Sequence, residues 1–126
     1  MTKAAPGSSV AVLGASTKED RYSFKAVHQL KEGGYNPIPV HPAAHTVDGI
    51  PGVAALSDIN DQLDTITVYV NAKISDNEYD SIIKLNPRRV IFNPGAENKD
   101  LAEKLRAAGI EVQESCTLVM LATDQY

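Results

Sequence analysis

A chain of 126 residues holds one core and is too short for two. Its 43% hydrophobic and 22% charged residues are ordinary globular proportions, which excludes a fibrous or disordered chain. The formal net charge of −4 supplies no overall field toward nucleic acid, so a polyanionic ligand has to be met by local donors.

No apolar run approaches the roughly 18 residues of a membrane-spanning helix, and the N-terminal MTKAAPGSS has no apolar signal core. A single cysteine forms no internal disulfide and suits a reducing compartment. The expectation is one cytoplasmic domain over 1–126, with a flexible lead-in over 1–8 and no nucleic-acid or membrane partner.

Val10 to Leu13 is an unbroken apolar run, the pattern of a strand buried on both faces of a parallel sheet. A polar loop follows. Ser23 is placed to cap a helix through Glu32, with Phe24, Val27 and Leu30 on one face and Gly33-Gly34 as its stop. NPIPVH makes a second strand closed by Pro42, and residues 43–52 form a loop with Gly49, Pro51 and Gly52. VAAL reads as a short edge strand ahead of a helical stub over 57–62.

TITVYVN is the third clear strand, ending at Asn71. Ser75 and Glu78 have capping-box spacing, and Tyr79, Ile82 and Ile83 keep helical spacing up to Pro87. RVIFN is the next strand, stopped by Pro94-Gly95. Asn98 then caps a helix with Leu101, Ala102 and Leu105 inward and Gly109 at its end. IEVQE is the last strand, and CTLVMLATDQY adds a short helix or extension. Strands separated by helices of about ten residues imply right-handed βαβ units. The expected fold is α/β, a Rossmann-like doubly wound parallel sheet of five to six strands with helices on both faces.

Such a sheet takes its ligand beyond the carboxyl ends of the strands, where strand order reverses. Three strand ends qualify: Gly14-Ala15-Ser16, Asn71-Ala72-Lys73 and Asn93-Pro94-Gly95. Each combines turn-forming residues with expected free backbone donors. The dinucleotide fingerprint G-x-G-x-x-G is matched only by Gly14, because Ser16 and Glu19 stand where the other glycines belong. The ribose-binding acid expected after the second strand is replaced by Val40-His41-Pro42. The phosphate-loop signature G-K-[ST] is also absent.

What remains is a wider loop with hydroxyls at Ser16 and Thr17, cations at Lys18 and Arg21, and a helix N-terminus behind it. This combination suits a pyrophosphate. Lys25 is a weaker phosphate candidate, and His41 faces the crevice from a strand end. His28 reads as a partly exposed helix residue, and His45 as a loop residue without a partner. Three histidines and one cysteine show no metal-ligand spacing, and GAS is not a nucleophile elbow. Glu97 favours the positive end of the next helix rather than acting as a base. Cys116 is either a small buried hydrophobe or a thiol on the ligand side of the sheet.

VAVLGAS with its basic loop, GYNPIPVHP, DGIPGVAALSDI, DTITVYVN, VIFNPGAEN and AGIEVQESC occur in an order and spacing that resemble the small stand-alone CoA-binding proteins. Their Rossmann-like domain is shared with the succinyl-CoA synthetase alpha subunit and NDP-forming acyl-CoA synthetases. The resemblance implies binding of CoA or acyl-CoA. It puts the diphosphate on Gly14, Ala15 and Ser16, and the adenosine against Val40, His41 and Pro42. The loops at Asn71-Ala72 and at Asn93, Pro94 and Gly95 flank the ligand. The reading that follows is non-catalytic CoA binding. Against it stand an NAD(P)- or nucleotide-binding sensor or enzyme domain, and a structural subunit with an empty crevice. The apolar run in TLVMLATDQY suits either a homodimer contact or a cap on the core.

Overall fold

Pro37 and Pro39 lie within one five-residue strand and confine it to the rim of a sheet, because a residue without an N–H cannot serve a neighbour on that side. In the computed structural model, which describes residues 3–126, the strands are β1 (Ser9–Leu13), β2 (Asn36–Val40), β3 (Leu63–Val68), β4 (Arg89–Phe92) and β5 (Glu111–Glu114). They form one parallel sheet in the order β2-β1-β3-β4-β5, which leaves the proline-bearing β2 at an edge. The helices are α1 (Tyr22–Glu32), α2 (Ala72–Ser75), α3 (Tyr79–Leu85), α4 (Lys99–Ala107) and α5 (Thr117–Ala122). Single 3-10 turns lie at Leu56–Asp58 and Asp76–Glu78.

Alternate strand residues feed two cores. On one face Leu13, Ile66, Val68, Val90 and Phe92 pack with Leu56, Ile82, Leu101 and Leu105, so α3 and α4 cover that side. On the other, Val10, Val12 and Ile91 pack with Val27, Leu30, Met120 and Tyr126, beneath α1 and α5. Each fully buried Leu, Ile or Phe contributes about 1.5–3 kcal/mol. The expected doubly wound Rossmann-like sheet is present, with five strands.

The α1/α5 side also buries polar groups that the strand pattern did not announce. Arg89 is 1% exposed. Its Nε donates to Thr65 Oγ1 at 3.1 Å and its Nη1 to the Tyr126 carbonyl at 2.9 Å, while the guanidinium lies 4.4 Å from the centre of the Tyr126 ring.

Three local expectations change. First, α1 begins at Tyr22 with Arg21 in the cap position. Ser23 therefore lies inside the first turn, and its hydroxyl accepts the Ser16 N–H at 3.1 Å. Second, the Ser75–Glu78 capping box does not form, because the chain is already helical from Ala72; Asn71 caps α2 by accepting the Ile74 N–H at 3.0 Å. Third, VAAL contributes only a one-residue bridge, Val53 to Val40, before turning into the 3-10 segment.

Within the expected lead-in, Lys3 pairs with Asp124, Ala4 donates to Tyr126, and Gly7 donates to Gly34. Residues 1 and 2 of that lead-in lie outside the described residues. The Asn98 cap forms as expected, its Oδ1 accepting the Leu101 N–H at 3.0 Å.

Candidate functional site

The chain leaves β1 for the edge strand β2 and returns on the other side of β1 as β3, so strand order reverses between β1 and β3. The carboxyl ends of these two strands are Leu13-Gly14 and Val68-Tyr69-Val70. Gly14 has a φ of +91°, and a Cβ there would lie 2.7 Å from Val70 Cγ1, so both backbone and space demand glycine.

Two cavities open on either side of Gly14. The first, about 380 Å³, is lined by Ser16, Lys18, Arg21, Tyr22, Ser23, Tyr69 and Pro94 together with Gly14. Two cations and no carboxylate stand in that lining. The first helical hydrogen bond of α1 runs from the Lys25 N–H to the Arg21 carbonyl, and no side chain caps the helix. The N–H groups of its first turn therefore remain available at the positive end of the helix dipole.

The second cavity, about 270 Å³, is largely apolar. Leu13, Val40, Pro42, Ala54, Ala55, Leu56, Val70 and Ile74 line it, with His41 and Glu78 as its only polar side chains. His41 Nδ1 accepts the Ala43 N–H at 3.0 Å, which puts the ring N–H on Nε2, and its ring lies 4.5 Å from that of His45.

A larger groove of about 690 Å³ lies at the opposite, amino-terminal ends of the strands, bordered by Asp64, Arg88 and Gly109. No strand carboxyl end or helix N-terminus opens into it, so size alone does not make it the ligand site.

The structure gathers Gly14, Ser16, Lys18, Arg21 and Pro94 around the first cavity, and Val40, His41 and Pro42 around the second. The remaining sequence candidates line neither cavity. The amides of Gly14 and Ala15 both donate to the Val40 carbonyl, at 2.9 and 3.2 Å, so they shape the turn instead of standing free. Ala15 is fully buried. Thr17 is exposed, and Lys25 lies on α1 with its Nζ 5.6 Å above the Tyr22 ring. Asn71 and Ala72 build the start of α2 and border neither cavity.

Asn93 is buried, and its side chain is spent inside the protein. Its Nδ2 donates to Thr67 Oγ1 at 2.7 Å and to the Val68 carbonyl at 3.0 Å, and its Oδ1 accepts the Thr117 N–H at 2.8 Å. The Gly95 N–H is taken by the Glu97 carboxylate at 2.9 Å, so Glu97 holds the Pro94-Gly95 turn. His28 pairs with Asp48 on the outer side of α1 at 2.8 Å, and Cys116 stands at the start of α5, bordering neither cavity.

Sequence reasoning missed Tyr69 and Glu78. Tyr69 extends the apolar run of β3, a signal that was available. Burial raises the pKa of its phenol, and its hydroxyl makes no hydrogen bond among the described residues. Glu78 carries no comparable sequence signal: it is half-buried, burial raises its carboxyl pKa, and it has no hydrogen bond or ion pair among the described residues.

Comparison with known proteins agrees with the fold. A relative from Bacillus subtilis (strain 168), the uncharacterized protein YneT, is 32% identical over 60 residues; these cover 48% of this chain and 44%, less than half, of that protein. A crystal structure of an uncharacterized protein superposes with a TM-score of 0.90 at 38% identity, covering 97% of this chain and all of that one. The dinucleotide-forming acetyl-coenzyme A synthetase 1 of Ca. Korarchaeum cryptofilum, solved with phosphate and ADP, shares the fold. Its TM-score is 0.72 at 20% identity, over 87% of this chain and 26% of that one. A family model for the CoA binding domain matches residues 8–122. With nearly the whole length matched, the chain belongs to the CoA-binding domain family.

Proposed function

We propose that this protein binds CoA or acyl-CoA without transforming it, holding the diphosphate in the cation-lined cavity and the adenosine in the apolar one. The observation that carries this reading is that the two cavities share Gly14. A charged linker and an uncharged base can therefore lie on either side of one glycine at the strand-order reversal. The first-turn amides of α1, with Lys18 and Arg21, would meet the phosphates. Gly14 lets the ligand approach the backbone closely, and its amide stays bonded to Val40. Val40 and Pro42 on one wall, and Val70 and Ile74 on the other, would enclose the base. Pro94 would border the path of the pantetheine arm.

Calorimetric titration and thermal unfolding with CoA, acetyl-CoA, dephospho-CoA, NAD, NADP and ATP test the reading. CoA should bind saturably and add about 2.7 kcal/mol of stability at 100 times its dissociation constant. Stabilisation by NAD without any by CoA would overturn it in favour of a dinucleotide domain. No response to any of the six would favour a structural role.

A further inference from the structure

The apolar cavity has one feature that a simple hydrophobic slot does not require. Only His41 and Glu78 bring polar side chains to it, and His41 Nδ1 is already committed to the Ala43 N–H. Glu78 reaches the cavity from the 3-10 turn between α2 and α3, far in sequence from the β1 loop. It finds no donor among the described residues, and burial raises the pKa of its carboxyl. A half-buried carboxyl without a donor costs free energy that a hydrogen bond from a ligand would offset. No lysine or arginine lines the cavity to supply that bond from the protein.

We propose that Glu78 is a specificity-determining residue that accepts a hydrogen bond from the exocyclic amino group of the adenine base. The proposal rests on the reading that a CoA-type ligand lies with its base in this cavity. A flat heteroaromatic ring satisfies the apolar walls, and its N6 amino group is the donor carried on the ring itself. An ionised Glu78 accepts that N–H. A protonated Glu78 can also donate to N1, so adenine is matched in both states. Discrimination then comes from leaving the carboxyl unpaired when the amino group is missing or blocked, the kind of penalty by which buried polar groups select ligands.

The test is titration of the full chain with CoA and with 1,N6-etheno-CoA, in which N1 and N6 are both blocked. The wild type is expected to bind CoA about tenfold or more tightly than the etheno analogue. Glu78→Ala should weaken CoA by a similar factor and bring the two ligands to equal affinity. Glu78→Gln, whose amide oxygen still accepts, should retain part of the preference. Thermal melts of both variants check that they fold, as expected for a side chain without partners.

Equal affinity of the wild type for both ligands would overturn the proposal while leaving CoA binding intact, and would indicate a ribose hydroxyl as the donor. A preference that survives in Glu78→Ala would overturn it as a steric effect of the etheno ring. Failure of the wild type to bind CoA at all would instead defeat the functional reading, and this inference with it.

Discussion

Gly14 faces Val70 so closely that a methyl group on its α-carbon would stand 2.7 Å from Val70 Cγ1. Gly14 borders both cavities and Val70 lines the apolar one, so the residue that lets the chain turn out of β1 also stands between the two. Gly14→Ala combines a φ of +91° with that clash. It should cost about 1–3 kcal/mol of stability and remove CoA binding even where the protein remains folded. Thermal unfolding and calorimetry at low temperature measure the two losses separately.

Lys18 and Arg21 are exposed at the mouth of the first cavity, and neither forms an ion pair among the described residues. Replacing either by alanine should leave the melting temperature unchanged. CoA affinity should fall by about 1 kcal/mol, roughly fivefold. The salt dependence of binding should also flatten, because part of the attraction being screened has been removed. Titrations at low and high ionic strength test this.

Asn93 holds the end of β4 to β3 and to the start of α5 through three buried hydrogen bonds. Asn93→Ala leaves the buried Thr117 amide without its acceptor, while Thr67 Oγ1 keeps Thr117 Oγ1 and the Val68 carbonyl keeps the residue-93 backbone N–H, and it should lower stability by about 2 kcal/mol. Asn71→Ala removes only an exposed cap and should cost about 1 kcal/mol. Urea denaturation of the two variants gives the comparison.

Asp64 and Glu78 shift in opposite directions, and stability should follow each with opposite sign. Burial pushes the Asp64 pKa up, but the bonds from Arg88 and Thr65, with the charges of Arg88 and Arg89, outweigh burial and hold it below the usual value. Its contribution is therefore present above the unfolded aspartate pKa of about 3.9 and is lost as pH falls through the lower folded value. Arg88→Met should flatten this acid limb. Glu78, raised by burial, contributes most below the unfolded glutamate pKa of about 4.3, and that contribution is lost as pH rises through its folded value. Glu78→Gln should therefore gain stability over the wild type at pH 7 and little at pH 4. Thermal melts across pH 3–8 check both limbs.

The division between sequence and tertiary structure follows from the range of the forces involved. Apolar runs and breakers act locally, so Val10 to Leu13, the α1 face of Val27 and Leu30, and the Asn98 cap were legible in order along the chain. The two prolines of β2 fit its place at the sheet edge, a position that the sequence reading gives to VAAL. The β1 loop was equally plain, since its glycine, hydroxyls and cations are contiguous.

Competition for hydrogen bonds was not legible. Gly14 and Ala15 spend their amides on Val40, Asn93 turns inward, and Ser23 receives Ser16 in place of capping α1. Strand alternation tells which residues share a face, but not that Arg89 would meet Tyr126 there. The apolar cavity is likewise a product of packing: Val40, Leu56, Val70 and Glu78 come from four separate stretches and meet only when the sheet closes. Local pattern determined the fold and the cation-bearing loop after β1; long-range packing decided which donors stay open and what lines the other side of Gly14.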